Sequence, residues 1–305
     1  MGTRLNGLTL IKVVDGDTLR VELHGADATL RLLCLDTEES FPGGSKPVTN
    51  AGKEATRLAR KHFGCKEDDG LPLSSVKVDI EFDTSDPEHV CFVRHRGSYE
   101  RLLCYVYKSG GENYNLKAVR DGLSPYFVKY GRSRLYHKQF LAAEAKAQSS
   151  GLMIWNPATN AGVEGNGRDY ASLVPWWNLR DSVVADYREQ GLQAGVVSVR
   201  LDYADLVTAS LNGDSMTVLC DLQGGVGARP GTGAVLFAGS RTQPFNLWIP
   251  DRTDTDAQAI LRLVKLRYAG AGRGYVYVSG KATTYNGKPQ IVLTDLKQLS
   301  DSPPP

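Results

Sequence analysis

Five side chains in the first 101 residues make up a set that could act on a phosphodiester. Hydrolysing such a bond requires that the non-bridging oxygens be neutralised and that a water be oriented or deprotonated. It also requires cations to hold the pentacoordinate charge. Asp17, in VVDGDTLRV, begins a strand directly after a tight turn, and Asp36, in RLLCLDTEES, is expected to end another strand where it leaves the sheet. Carboxylates at strand ends that face one mouth can share a hard cation such as calcium. Glu39 stands three residues beyond Asp36, within reach of a water beside the phosphate. Arg31 lies five residues before Asp36 on the same strand, and Arg101 opens RLLCYVY, a strand that should pair elsewhere. Two guanidiniums converging from different strands clamp a phosphate through their forked donors.

The elements that must carry these residues alternate in a recognisable order. Leu8–Val14 and Thr18–Leu23 are β-branched runs flanking Asp15-Gly16-Asp17, a hairpin-type turn, and Ala28–Leu35 is a third strand. Ala51–Phe63 places Ala55, Leu58, Ala59 and Phe63 on one helical face. Val76–Phe82 and Leu102–Tyr107 complete five strands, followed by a short helix over Leu116–Asp121, stopped by Gly122, and a longer one over Tyr136–Gln148. Five strands with a helix inserted after the third is the order of an OB-fold barrel. The fold class expected is therefore mainly β with helices (α+β).

The Gly/Asn-rich stretch PATNAGVEGNG, Pro157–Gly167, marks a boundary. It divides the chain into a catalytic domain over 1–160, a linker with a Trp-containing helix over 161–191, and an accessory domain over 192–305. Within the helix, Trp176 and Trp177 are more often packing anchors than base-stacking platforms. In the last segment Gly195–Leu201, Met216–Leu222, Ala234–Phe237 and Phe245–Ile249 read as strands and Thr253–Tyr268 as a helix. Gly274–Thr284 and Gln290–Leu293 form a hairpin across Asn286-Gly287, so this segment is expected to be a second barrel of OB-fold kind.

Charge excludes a polycation. Residues 1–160 carry 22 Lys/Arg against 20 Asp/Glu, and residues 161–305 carry 14 against 14. Five cysteines without a CxxC pair argue against a structural zinc site and for a reducing compartment; Cys34 and Cys104 should be buried as small hydrophobes. No apolar run is long enough to span a bilayer, and the first twenty residues lack the features of a secretory signal. A cytoplasmic setting is the expectation, with a secreted or periplasmic protein whose signal has been removed as the alternative.

VVDGDT, the R-LLCLDT-E-E segment and the Y-E-R-LLCYVY segment, in that order and at that spacing, resemble the three signature segments of the staphylococcal nuclease family. GKEATRLARKHF, VRDGLS and AEAKAQSSGLMIW resemble its three helices, so the likeness covers roughly residues 8–157. The resemblance implies an OB barrel and calcium-assisted cleavage of DNA or RNA, other divalent ions being alternatives, with 3′-phosphate ends. Carried over residue by residue, it makes Asp17 and Asp36 metal carboxylates and Thr37 a carbonyl donor to the metal. It makes Glu39 the general base, Arg31 and Arg101 the phosphate-binding arginines, and Tyr99 a nucleotide-binding tyrosine. The chain departs from the pattern at Glu38, where the family usually has Pro and where an extra negative charge is expected near the mouth. Ser98 replaces a Lys, and of two later aromatics Tyr130 matches one while Val128 stands in place of the other.

Each residue has a plainer reading. Asp15 is expected to be a turn-former bonding its own backbone. The five His residues show no ligand spacing and read as surface. The basic run VRHRGSYER is expected to be an exposed hairpin tip, whose Arg94 and Arg96 either touch nucleic acid or are simply solvated. A single-stranded DNA or RNA substrate is the partner expected. A binding or scaffold protein that kept the barrel and lost turnover is the alternative to a nuclease, and the full acid, base and arginine set separates the two. The C-terminal barrel is either a nucleic-acid grip, through aromatics such as Tyr203, Phe245, Trp248, Tyr275, Tyr277 and Tyr285, or a module that makes a homo-oligomer.

Overall fold

Alternating apolar residues build the first barrel. In β2 (Thr18–Leu23) Leu19 and Val21 are fully buried while Arg20 and Glu22 face outward, the two-residue period of a half-buried strand. β1 (Arg4–Asp15), β2, β3 (Ala26–Leu32), β4 (Lys77–Glu81) and β5 (Leu102–Lys108) close in the order β1-β2-β3-β5-β4. The β3–β5 seam is parallel and every other pair antiparallel. The helix α1 (Asn50–Phe63) is inserted between β3 and β4, capped by the Thr49 hydroxyl, which accepts from Gly52 N–H at 3.0 Å. This is a computed structural model that describes residues 1–42, 48–97, 99–128, 130–160, 168–228, 231–240, 243–268 and 274–304. Their contacts divide into two units, Met1–Ala171 and Ser172–Pro305.

The remaining helices of the first unit are α2 (Glu88–Arg94), α3 (Tyr114–Arg120) and α4 (His137–Ser149). Asn115 on α3 is fully buried and pins the parallel seam. Its amide donates to the carbonyls of Leu33 (2.8 Å) and Cys104 (3.1 Å), and its carbonyl accepts from Val106 N–H (2.9 Å). Three bonds from one side chain join β5 to the residue after β3 and fix the place where the chain leaves that strand.

The second unit repeats this connectivity. α5 (Tyr170–Asp186) runs across the unit boundary, and β6 (Val197–Ser198) and α6 (Tyr203–Asn212) precede the barrel. β7 (Ser215–Ala228), β8 (Ala234–Gly239), β9 (Pro244–Ile249), β10 (Tyr275–Tyr285) and β11 (Lys288–Val292) follow, with α7 (Thr255–Leu263) between β9 and β10. The order is β7-β8-β9-β11-β10, closed by a β10–β7 ladder, and β9–β11 is again the parallel pair. Both halves are therefore five-stranded barrels of OB-like order. Phe245, Leu247, Ile249, Ile260, Val276, Val278 and Ile291 lie at 0 % exposure in the second core.

Several sequence expectations are corrected. β3 ends at Leu32, three residues before the expected Leu35, because Cys34 adopts φ 66° and turns the chain. Leu33, Cys34 and Leu35 are all buried, so the turn has the hydrophobicity of a strand. The run after Gly195 forms only the two-residue β6, and α6 behind it has no expected counterpart. The tip predicted over Val93–Arg101 instead begins in α2, whose inward contact is Cys91. His62 and His95 are half-buried, contrary to the expected surface positions, and burial lowers the pKa of each. Of the two tryptophans, Trp177 is buried, and the Trp176 side chain lies outside the described residues, as does the linker over 161–167. All five cysteines are buried, with no disulfide among the described residues. No described helix is long and apolar enough to cross a membrane.

Candidate active site

Asp17, Arg31 and Asp36 meet at one end of the first barrel. Asp15 Oδ1 accepts from Asp17 N–H at 3.1 Å, the turn-forming bond expected of it. Leu32 N–H donates to the Asp17 carbonyl at 2.9 Å, and Arg31 pairs with Thr18 across the β2–β3 ladder, so Arg31 emerges beside Asp17. Asp36 is not at a strand end. It follows the left-handed turn at Cys34, and its N–H donates to Ser124 Oγ at 2.8 Å. The next residue, Thr37, donates its N–H to Asp17 Oδ2 at 3.0 Å, binding the loop after β3 to the β1–β2 turn. Gly16 permits this approach, since a Cβ there would lie 2.8 Å from Thr37 Cγ2.

The Arg31 guanidinium bridges the acids. One terminal nitrogen bonds Asp17 Oδ1 and the other bonds Asp36 Oδ1 at 2.8 Å, with all three side chains nearly buried. Burial by itself would lower the Arg31 pKa, but Asp17 and Asp36 raise it further, so the guanidinium stays charged. Asp15, by contrast, is pushed up to about 7, first by burial and then by the neighbouring Asp17.

Glu39 and Arg101 stand on two further segments, the loop before α1 and the start of β5. The Glu39 carbonyl accepts from Thr49 N–H at 3.3 Å and packs on Gly52 of α1, where a Cβ would lie 2.2 Å from it. The helix N-terminus thus fixes the backbone from which the half-buried Glu39 side chain projects. Arg101 precedes β5, in which Leu102 pairs with Leu30 and Leu103 with Arg31. The pleat therefore assigns Arg101 to the Arg31 face. Its Nε is buried without a hydrogen-bond partner, and its guanidinium lies 5.4 Å from the centre of the Tyr99 ring, which is exposed. The Tyr130 hydroxyl lies beside Gly97, 3.3 Å from where a Cβ would be. Arg96 is turned onto the backbone, donating to the carbonyls of Phe92 and Glu100. Arg94 ends α2 and is half-buried, and Ser98 lies outside the described residues.

Sequence reasoning missed Arg168, Tyr170, Ser124 and Asn115. Glu38 is not exposed to solvent, its side chain being completely buried. The Tyr170 hydroxyl donates to Glu38 Oε1, and the Arg168 guanidinium stands 3.6 Å from that oxygen and 2.8 Å from Asp36 Oδ2. The one available signal was the unmatched charge of Glu38 itself, because a buried carboxylate requires partners.

The donors at this site are hard oxygens. Asp17 and Asp36 converge on one cationic group, the Arg31 guanidinium, which marks the point both carboxylates face. Among the described residues no cluster of three or more His, Cys, Asp or Glu is arranged to enclose an ion. An oxygen-seeking divalent ion fits a pair of carboxylates completed by retained water, and a thiolate- or imidazole-seeking ion does not.

Comparison with known proteins points to one family. The family model described as staphylococcal nuclease homologue matches residues 29–157. Endonuclease YncB of Bacillus subtilis is 30% identical over 165 residues, which are 53% of this chain and 69% of that protein. The thermonuclease of Staphylococcus hyicus is 30% identical over 148 residues, 48% of this chain and 74% of that protein. The SPbeta prophage-derived endonuclease YokF of Bacillus subtilis is 30% identical over 170 residues, 55% of this chain but only 51% of that protein. All of these alignments span only about half of this chain.

Proposed function

The chain belongs to the staphylococcal nuclease family, and from that premise we propose that its first unit is a calcium-dependent nuclease cutting DNA or RNA to leave 3′-phosphate ends. The observation that carries this reading is the bridge from Arg31 to both Asp17 and Asp36, since it gathers two acids and a cation from separate segments at one barrel end. Asp17, Asp36 and the Thr37 carbonyl would hold the ion, which when bound supplies Lewis-acid neutralisation of a non-bridging phosphate oxygen. Glu39 accepts the proton of the attacking water. Arg31 and Arg101 hold the equatorial oxygens through their forked donors as charge accumulates there. Tyr99 and Tyr130 flank Arg101 and Gly97 and orient the nucleotide next to the cleaved bond.

The second unit we read as an accessory OB-like barrel. Tyr277 and Phe245 belong to its core and are removed from the stacking candidates; Tyr285, 53% exposed at the Asn286-Gly287 turn, remains one. A gel assay of the full chain on single-stranded DNA, RNA and duplex, with calcium and with chelator, tests the proposal. Cleavage that vanishes with chelator and returns with calcium is the expected result. Undiminished cutting under chelator, or none on any substrate with calcium, would overturn it.

A further inference from the structure

Arg168 lies eleven residues beyond the stretch that the family model matches, yet its guanidinium sits against Asp36 and Glu38. Its terminal nitrogen is 2.8 Å from Asp36 Oδ2, the oxygen opposite the one Arg31 holds. Its side chain is only 13% exposed. Three further contacts seat it there. Glu38 Oε1 is 3.6 Å away, the Tyr170 ring centre lies 5.4 Å from the guanidinium, and Asn160 Nδ2 donates to the Arg168 carbonyl at 3.4 Å. Tyr170 in turn donates to Glu38 and stands 5.3 Å, ring to ring, from Trp155. Glu38 thus has a purpose that its exposure in sequence hid: it anchors both residues. Burial opposes the Arg168 charge, but Asp36 and Glu38 more than offset it, and the group remains a cation.

We infer that Arg168 is an internal counter-ion of the metal site, held on Asp36 by the Glu38–Tyr170 anchor, and that a divalent ion must exchange with it to bind. The inference rests on the reading of Asp36 as a metal carboxylate. A carboxylate oxygen saturated by a guanidinium offers a cation less charge than a free one, and two cations cannot share it without mutual repulsion. Ion binding therefore includes the work of displacing Arg168, and metal affinity is set below what Asp17 and Asp36 alone would give.

Isothermal titration of the full-length chain with calcium tests this in wild type, Arg168→Gln, Tyr170→Phe and Asp36→Asn. Arg168→Gln should bind calcium roughly tenfold more tightly, the equivalent of one charge-assisted hydrogen bond no longer broken. Tyr170→Phe keeps every charge, so a gain from it cannot come from altered net charge; it should shift affinity the same way by a smaller factor. Calcium should also change Trp155 emission in wild type, identified by its loss in Trp155→Phe, and change it less in Arg168→Gln. If Arg168→Gln fails to fold by circular dichroism, Tyr170→Phe decides alone. Calcium affinity unchanged or weakened in both variants overturns the inference while an abolished signal in Asp36→Asn leaves the metal site standing. Undiminished binding by Asp36→Asn removes the metal reading, and the inference with it.

Discussion

Gly52→Ala isolates the backbone that positions Glu39. A Cβ at Gly52 would lie 2.2 Å from the Glu39 carbonyl oxygen, 2.6 Å from its carbon and 2.8 Å from the Glu38 carbonyl carbon. An ordinary carbon–oxygen contact is about 3.3 Å, so something must yield by about 1 Å. Every atom named is backbone, and no side-chain rotation relieves the overlap. The helix backbone itself tolerates the change, since alanine is favoured over glycine in a helix, by at most about 1 kcal/mol in this first turn. We therefore expect thermal stability to move by only a few degrees while the loop bearing Glu39 is displaced. A misplacement of about 1 Å in a catalytic group lowers kcat by roughly a hundredfold. The assay is steady-state cleavage of a labelled single-stranded oligonucleotide under saturating calcium, with Lys61→Ala at the far end of α1 as control. Combining Gly52→Ala with Glu39→Gln should lose little more than the worse single variant, because both act on one group. A Gly52→Ala protein that cuts at the wild-type rate, or losses that multiply in the pair, would refute the reasoning.

Three further outcomes follow from the same structure. Glu39→Gln and Arg101→Ala should each lower kcat by roughly a hundredfold or more with unchanged circular dichroism and melting, since each removes a group that the proposed mechanism sets on the reacting phosphate. Buried Glu81 accepts from Gly2 N–H, Arg4, Tyr107 and Tyr136, and these bonds, led by Arg4, overcome its burial and hold its pKa down at about 2 against an ordinary 4.5. A depressed carboxylate stabilises above its unfolded pKa and loses that contribution as pH falls through the folded one. Denaturant titrations should thus lose about 3 kcal/mol between pH 4.5 and 2, a slope that Glu81→Gln flattens. Asn115→Leu strands the Leu33 and Cys104 carbonyls and Val106 N–H, and should cost about 3 kcal/mol in urea unfolding, with activity falling alongside because the exit from β3 loosens.

Much of the barrel was legible because the cues were local. Thr18–Leu23 was bounded to the residue as a β-branched run after the Asp15-Gly16-Asp17 turn, and Asn286-Gly287 gave the hairpin, both residues adopting positive φ. The failures share a cause. Leu33-Cys34-Leu35 is as apolar as a strand because its turn is packed inside, and hydrophobicity reports burial rather than direction. The seven residues of α2 bury only Cys91, too little for a helical period to register.

The site divides the same way. Residue types and their order in the chain determined by themselves which acids, arginines and glutamate could serve one chemistry, because strand and turn signals act within a few residues. Whether Asp17 and Asp36 share a cation is a matter of the β2–β3 register and the Ser124 and Thr37 hydrogen bonds, made across as many as 88 positions of sequence. The tertiary structure alone decided that Glu38 is buried and that Arg168, 132 residues beyond Asp36, answers its charge. A carboxylate's partner is chosen by the free energy of desolvation in the folded chain, and no local pattern encodes which distant cation will be close enough to supply it.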